Sequence, residues 1–133
     1  MRKAFNKLFK SDGGDINRQD GSGWTKLHEA AWDGRLAEAK DLVRSGARTD
    51  IQTNGGNTPL MYAAWNGHDD IVSFLVESGA SLDLRDKNGQ TAVSKAAYWG
   101  YLNIAKYLCQ RGADVNISDK RGCLLYTSDA ADE

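Results

Sequence analysis

The chain has 133 residues, of which 41% are hydrophobic and 26% are charged, and its formal net charge is −1. These proportions are typical of a soluble globular chain of about one domain. The near-zero charge provides no overall field to attract nucleic acid or an anionic membrane, and no apolar run approaches the ~20 residues that a membrane-spanning helix needs.

The dominant feature of the sequence is internal repetition with a period of 33 residues. Thr25, Thr58 and Thr91 stand at equivalent places in three successive copies. The other positions in register are Gly23, Gly56, Gly89 and Gly122; Gly34, Gly67 and Gly100; and Leu42, Leu75 and Leu108. So many coincidences at one period indicate stacked copies of one structural unit.

The first segment, residues 1–19, is predicted to be a half-repeat that holds a second helix and a turn. Residues 13–17 align with residues 112–116, three repeat lengths further along. The apolar face of the helix would consist of Ala4, Phe5, Leu8 and Phe9. We expect the lysines around them to form its solvated face, and membrane attachment is the alternative.

Three full units follow, and they are predicted to be residues 20–52, 53–85 and 86–118. In the second unit, Thr58 is expected to cap a helix that begins at Pro59. Gly67 then interrupts the helical pattern, so that the chain reverses into a second helix, which Gly79 ends. The polar residues that connect one unit to the next are predicted to be projecting turns.

These units resemble the ankyrin-repeat family. The stretches that carry the resemblance are Thr58-Pro59-Leu60, Ala63-Ala64, Gly67-His68, Ile71-Val72 and Gly79-Ala80. The resemblance covers the chain up to Gly122 and implies an all-α solenoid of stacked helix-turn-helix units with projecting β-turn or hairpin loops. The departures from the family pattern are Lys26 and Ala92 in place of proline, Met61 and Ser94 in place of histidine, and Glu38 in place of an aliphatic residue.

The last segment of the chain departs from the repeat. Residues 119–122 begin a fourth unit, which is truncated. Residues 123–133 resemble the translation of an adapter used in DNA sequencing libraries. We therefore expect this tail to be non-native, and the natural protein to continue past Gly122.

Groups that could perform catalysis or bind a metal are few. His28 and His68 occupy different positions in their units, so we expect hydrogen bonding rather than metal binding. The glycines lack the spacing of phosphate-binding loops, and no pairing of a nucleophile with a base can be argued. The sequence therefore predicts no enzyme activity, no cofactor, no metal and no small-molecule substrate. Two cysteines are too few to staple a secreted scaffold, which favours a reducing, cytoplasmic setting.

An aromatic pattern gives the one candidate site. Trp32, Trp65 and Tyr98 are 33 residues apart, which predicts a ladder on the first helices; Trp99 follows Tyr98, and Trp24 precedes a helix. The resemblance implies that these positions line the concave surface that holds partners. The polar residues expected around the ladder are Asp33, Asn54, Asn57, Asn66, Arg85, Lys87, Asn88, Gln90 and Arg111. Aromatic anchors ringed by polar groups are typical of an interaction hot spot, although packing between repeats would give the same pattern.

The sequence therefore predicts a protein-interaction module that binds an unidentified partner protein through this concave face. The alternative is the targeting or regulatory region of a larger enzyme or effector, with a catalytic domain beyond Gly122. Nucleic-acid binding is disfavoured, because the net charge is near zero and no cluster of Lys and Arg is predicted on the concave side.

Overall fold

The computed structural model of the protein describes residues 15–113. The predicted helix before residue 15, the truncated unit at 119–122 and the tail at 123–133 lie outside the described residues. Residues 15–113 form six α-helices and no strand, none of them long and apolar enough to cross a membrane. The helices are α1 (Lys26–Asp33), α2 (Leu36–Arg44), α3 (Pro59–Asn66), α4 (Asp69–Glu77), α5 (Ala92–Tyr98) and α6 (Leu102–Gln110).

The first helix of each pair begins with a threonine cap, as the period predicts. The hydroxyl of Thr58 accepts a hydrogen bond of 3.2 Å from the backbone N–H of Met61, and Pro59 takes the first helical position. The cap of α1 is more complete, because His28 donates its N–H to Thr25 Oγ1 and accepts the N–H of Thr25 on Nδ1. A cap of this kind satisfies amide groups that have no partner inside the helix.

Two glycines reverse the chain between the helices of a pair. Gly34 and Gly67 have φ values of 78° and 77°, a left-handed conformation that residues with a Cβ rarely adopt. A Cβ at Gly34 would also lie 2.7 Å from Cε1 of His68, and one at Gly67 would lie 2.6 Å from Cε1 of Tyr101. Each glycine is therefore needed both for its backbone conformation and for the close approach of the next repeat.

The helices form two layers. The first helices pack side by side, with α3 between α1 and α5, and α2 packs against α4 in the second layer. Alanines pack the first layer closely, and the fully buried ones are Ala30, Ala31, Ala63, Ala64 and Ala96. The second helices contribute the larger core residues, among them Leu42, Ile71, Leu75 and Leu108. This arrangement is an all-α stack of helix pairs, as predicted.

Turns project between the pairs and are hydrogen-bonded to one another. Within the second turn, the N–H of Thr53 donates to the carbonyl of Asn57 over 2.9 Å. Between turns, the N–H of Asn54 donates to the carbonyl of Ser22, and that of Lys87 to the carbonyl of Gly55, both over 3.0 Å. The turns therefore form one continuous row along the stack.

A second set of bonds joins neighbouring repeats through glutamine side chains. Gln19 Nε2 donates to the carbonyl of Gln52 over 3.1 Å. One repeat further, Gln52 Nε2 donates to the carbonyl of Arg85 over 2.9 Å. Each of these hydrogen bonds joins residues that are 33 positions apart, which is the period of the sequence repeat.

Candidate functional site

The first-helix layer and the first turn carry a continuous cluster of aromatic rings. Trp24 stacks on Tyr62 with 4.5 Å between ring centroids, and Trp32 meets Tyr62 edge-on at 5.3 Å. Trp32 also contacts Trp65 at 5.7 Å, and Trp65 stacks on Trp99 at 6.2 Å with only 18° between the planes. We call this set the aromatic face; its members are Trp24, Trp32, Tyr62, Trp65, Tyr98 and Trp99.

The third member of the expected ladder differs from the prediction. Trp65 stacks on Trp99, and the ring of Tyr98 instead meets the edge of Trp99 at 5.1 Å. The reason is visible one repeat earlier, where Asn66, the residue equivalent to Trp99, reaches back to the carbonyl of Trp32 over 2.9 Å. In the second and third repeats, the residue after the ladder position therefore points toward the preceding repeat, which leaves Tyr98 on the outside.

Exposure increases along the aromatic face toward the third repeat. The side chain of Tyr62 is buried, and those of Trp32 and Trp65 are half-buried. Trp99 is 51% exposed and Tyr98 is 75% exposed. Among residues 15–113, the rings of the first two repeats are therefore packed, and the rings of the third repeat are exposed to solvent.

An open cavity of about 280 Å³ lies at this exposed end. The residues that line it are Trp65, Gln90, Lys95, Tyr98 and Trp99. Pockets for whole small-molecule ligands usually measure roughly 300–1,000 Å³. The cavity is therefore at the lower limit for a small molecule and suits one or two side chains of a larger partner.

A buried ion pair supports the cavity. Lys95 Nζ donates to Asp86 Oδ2 over 2.7 Å and to Gln90 Oε1 over 3.3 Å, and it lies 4.8 Å from the centroid of the Trp65 ring. Burial raises the pKa of Asp86, but the hydrogen bonds from Lys95 and from the backbone of Gln90 outweigh it and hold the pKa below its usual value. Asp86 therefore stays ionised and fixes the lysine in place.

His28 is fully buried and joins the first repeat to the second. Its Nδ1 accepts from Thr25, so its Nε2 carries the proton and donates to the carbonyl of Asn57 over 3.0 Å. Burial lowers the pKa of His28 to about 4, because the charged imidazolium would lose its hydration. The ring is therefore neutral at pH 7 and serves as a hydrogen-bonded link between repeats.

The sequence of the chain matches the model of one known protein family. The family described as ankyrin repeats (3 copies) matches residues 2–86 and 27–119. The chain belongs to the ankyrin-repeat family. No protein with curated annotation gives a significant match. Ankyrin repeats are generally protein–protein interaction modules and are typically non-catalytic.

Several of the predicted polar residues hold the ankyrin stack together. Asn54 Nδ2 donates to the carbonyl of Gly21 over 3.0 Å, and Asn66 makes the bond to Trp32 described above. Asn57 contributes the carbonyl that accepts from His28. These side chains and backbone groups have structural partners within the stack, whatever else they contact.

The remaining predicted residues fall into three places. Asp33 pairs with Arg35 at 3.1 Å beside the first reversal. Arg85, Lys87 and Asn88 are exposed in or next to the third turn, and Gln90 lines the cavity. Arg111 follows α6 in the second layer and packs on Tyr107 of that helix, 5.7 Å from its ring centroid.

Three important residues were absent from the predicted site: Tyr62, Lys95 and Asp86. Tyr62 lies three positions before Trp65, and Lys95 lies three positions before Tyr98, spacings that place each pair on one helix face. Residues 29, 62 and 95 also share one register of the repeat. Helical spacing could therefore have found Tyr62 and Lys95, whereas the contact with Asp86 needed the fold.

Cysteine and metal chemistry can be described only for residues 15–113. Within this range no group of three or more His, Cys, Asp or Glu side chains could hold a metal ion. Cys109 on α6 is disulfide-bonded.

Proposed function

We propose that the chain binds a partner protein through the aromatic face, with the principal contacts at its exposed end. The observation that carries the proposal is the exposure of Tyr98 and Trp99, 75% and 51%, at the end of a packed aromatic cluster. Large aromatic side chains are the commonest hot-spot residues, because they bury much apolar area for few rotatable bonds.

The inner rings support this proposal by holding the outer ones in position. Trp65 contacts Trp32 on one side and Trp99 on the other, and the Lys95 ammonium lies over its ring. A ring held in this way loses little conformational freedom when a partner binds, so less of the interaction energy is spent on ordering. In this proposal the inner rings, Trp32 and Trp65, pack the repeats together, and the outer rings, Tyr98 and Trp99, contact the partner.

Polar residues around the exposed rings provide the rim of the proposed interface. Gln90 lines the cavity beside Trp65, and Lys87 and Asn88 are exposed in the adjoining turn. An apolar centre with a polar, solvated rim is the usual composition of a protein–protein interface. The rim is expected to influence specificity and association rate more than affinity.

We also propose that the chain itself is not an enzyme, and that it takes no cofactor, small-molecule substrate or nucleic acid. Support comes from the small cavity and from the near-zero net charge. A cytoplasmic location stays a prediction from the cysteine count. Fluorescence microscopy of the tagged chain in its native cell would decide the location.

The function is tested by comparing two variants of similar exposure. Trp99→Ala removes an exposed ring from the aromatic face, and Leu102→Ala removes an exposed side chain, 52% accessible, from the second layer. Each variant and the parent would be used to capture proteins from native cells, with retained proteins quantified by mass spectrometry. We expect a partner that the parent and Leu102→Ala retain and that Trp99→Ala loses.

The fold of each variant is checked by its thermal unfolding before capture. Retention of the same proteins by Trp99→Ala and by the parent would contradict binding through this face. Loss with Leu102→Ala alone would place the interface on the second layer.

A further inference from the structure

We infer that the cavity at the end of the aromatic face receives a proline-containing, extended segment of the partner. This inference rests on the proposed function and specifies the chemistry of the partner at that site. The groups of the cavity that determine which guest fits belong to Trp65, Gln90, Lys95 and Trp99.

A cationic guest does not fit this cavity. Aromatic boxes bind cations through the faces of their rings. Here the ammonium of Lys95 already lies 4.8 Å from the centroid of Trp65. Asp86, the carboxylate that contacts this lysine, is 8% exposed and is already paired with it. A second cation would find the face of Trp65 already occupied by an ammonium, and the described residues that line the cavity include no carboxylate.

An anionic guest is also poorly served. Lys95 is 5% exposed, and its ammonium donates to Asp86 and Gln90. The positive charge is therefore already paired inside the protein, with the carboxylate of Asp86 and the amide oxygen of Gln90. An anion would have to break a buried ion pair in order to reach it.

What the cavity does offer is aromatic surface together with hydrogen-bond donors. Within residues 15–113, the indole N–H groups of Trp65 and Trp99 donate no hydrogen bond. Gln90 accepts from Lys95 on Oε1, and its amide N–H₂ donates none within the same range. The complementary guest presents apolar rings and unpaired acceptors, and has few donors of its own.

A polyproline-type segment has these properties. Proline has an apolar ring and no backbone N–H, and an extended polyproline helix leaves every carbonyl free to accept. Such segments are held on aromatic grooves elsewhere in biology at low entropic cost, because their conformation is formed in advance. The volume of about 280 Å³ suits one or two such residues rather than a whole ligand.

The test is selection from a library of short random peptides with the complete chain, repeated with Trp99→Ala. We expect peptides enriched in proline from the parent, and no such enrichment from the variant. Selected peptides would then be titrated by tryptophan fluorescence against their Pro→Ala versions. Proline replacement should weaken binding by about tenfold or more, and Leu102→Ala should change it by less than about twofold.

Other results would overturn the inference. Enrichment of Lys and Arg, or of Asp and Glu, would assign the cavity to a charged guest. Peptides that bind equally well without proline, or a selection that yields no peptide sensitive to Trp99→Ala, would refute it as well. In those cases the proposed function is judged separately by partner capture, since a folded partner can use the aromatic face without any proline segment.

A substitution inside the cavity provides a second test of the inference. Gln90→Glu would replace the amide donors by a carboxylate and place a free acceptor beside Lys95. A proline-containing peptide should then bind about tenfold more weakly. Unchanged or tighter binding of that peptide to Gln90→Glu would show that the amide is not a donor to the guest and would overturn the inference.

Discussion

Lys95 and Asp86 form a 2.7 Å ion pair in which both side chains are almost completely buried, 5% and 4% exposed. The pair joins the third turn to α5, nine residues further along the chain. The same ammonium lies over Trp65 and lines the cavity. The geometry of the aromatic face is therefore tied to the third turn, which also supplies Gln90 to the cavity.

Removing one partner of this pair should destabilise the fold strongly. Asp86→Asn leaves the Lys95 charge buried without a counter-charge, so we expect a loss of about 3 kcal/mol in the free energy of unfolding. Asp41→Asn is the matched control, since Asp41 pairs with Arg44 at an exposed site and should change stability by less than ~0.5 kcal/mol. Urea unfolding measures both, and equal effects would show that the buried pair has no special role.

The same pair should make stability depend on strongly acidic pH. Because the pKa of Asp86 is lowered in the fold, its contribution is present above the unfolded value near 3.9 and is lost as pH falls through the folded value. Urea unfolding of the parent and of Asp86→Asn should therefore converge as the pH is taken below 4. Curves that stay parallel at all pH values would contradict this.

His28 should cause a separate loss of stability in mildly acidic solution. Its pKa falls from 6.5 to about 4 in the fold. The unfolded chain therefore binds more protons between these values, and the contribution is complete above pH 6.5 and lost as pH falls toward 4. The loss is on the order of 3 kcal/mol. The free energy of unfolding would be measured by urea titration across this range.

The control for that measurement is His28→Gln, which cannot titrate. The variant is expected to be less stable, but the useful quantity is the slope of stability against pH. That slope should be smaller for the variant between pH 6.5 and 4. If parent and variant give the same slope, His28 does not titrate as described.

Glycine at the reversal is required by the next repeat as well as by the backbone. Gly67 and Gly79 both have left-handed φ values, 77° and 95°, but only Gly67 is approached by another side chain, that of Tyr101. Replacement of either by alanine costs backbone strain, and Gly67→Ala should cost about 1–3 kcal/mol more because of the clash. Thermal or urea unfolding of the two variants gives the difference, and Tyr101→Ala in the Gly67→Ala background should recover part of it.

Two tryptophans of one stack should respond differently to truncation. Trp65 packs between Trp32 and Trp99, so Trp65→Ala is expected to lower stability by about 3 kcal/mol. Trp99 is 51% exposed, and its removal should cost about 1 kcal/mol or less. Unfolding curves of both variants test this, and a larger loss for Trp99→Ala would mean that the outer ring, too, is mainly structural.

The helices could be predicted from sequence because their ends depend on local chemistry. A threonine followed by proline caps and begins α3, and Gly67 supplies the left-handed conformation that ends it. Both requirements act within a few residues, so a period of 33 displays them in every repeat. The stacking of the helices then follows from the shared apolar face.

The candidate site was only partly predictable, because it depends on contacts between repeats. The ladder identified Trp32 and Trp65, but the direction in which Trp99 and Tyr98 point is set by how neighbouring first helices pack. Lys95 was not among the predicted site residues, and its partner Asp86 lies in a turn that reaches it only in the fold. Residues with long, polar side chains are thus the hardest to assign from spacing alone.

The hydrogen bonds between turns have a mechanical consequence. Gln19 is bonded to the carbonyl of Gln52, and Gln52 to that of Arg85, and no bond in this series skips a repeat. A force that stretches residues 15–113 would therefore act on a series of similar hydrogen-bonded contacts between neighbouring repeats. Each repeat is stabilised mainly by the repeats beside it, so the repeats should unfold one after another. Extension should therefore occur in steps of about one repeat each.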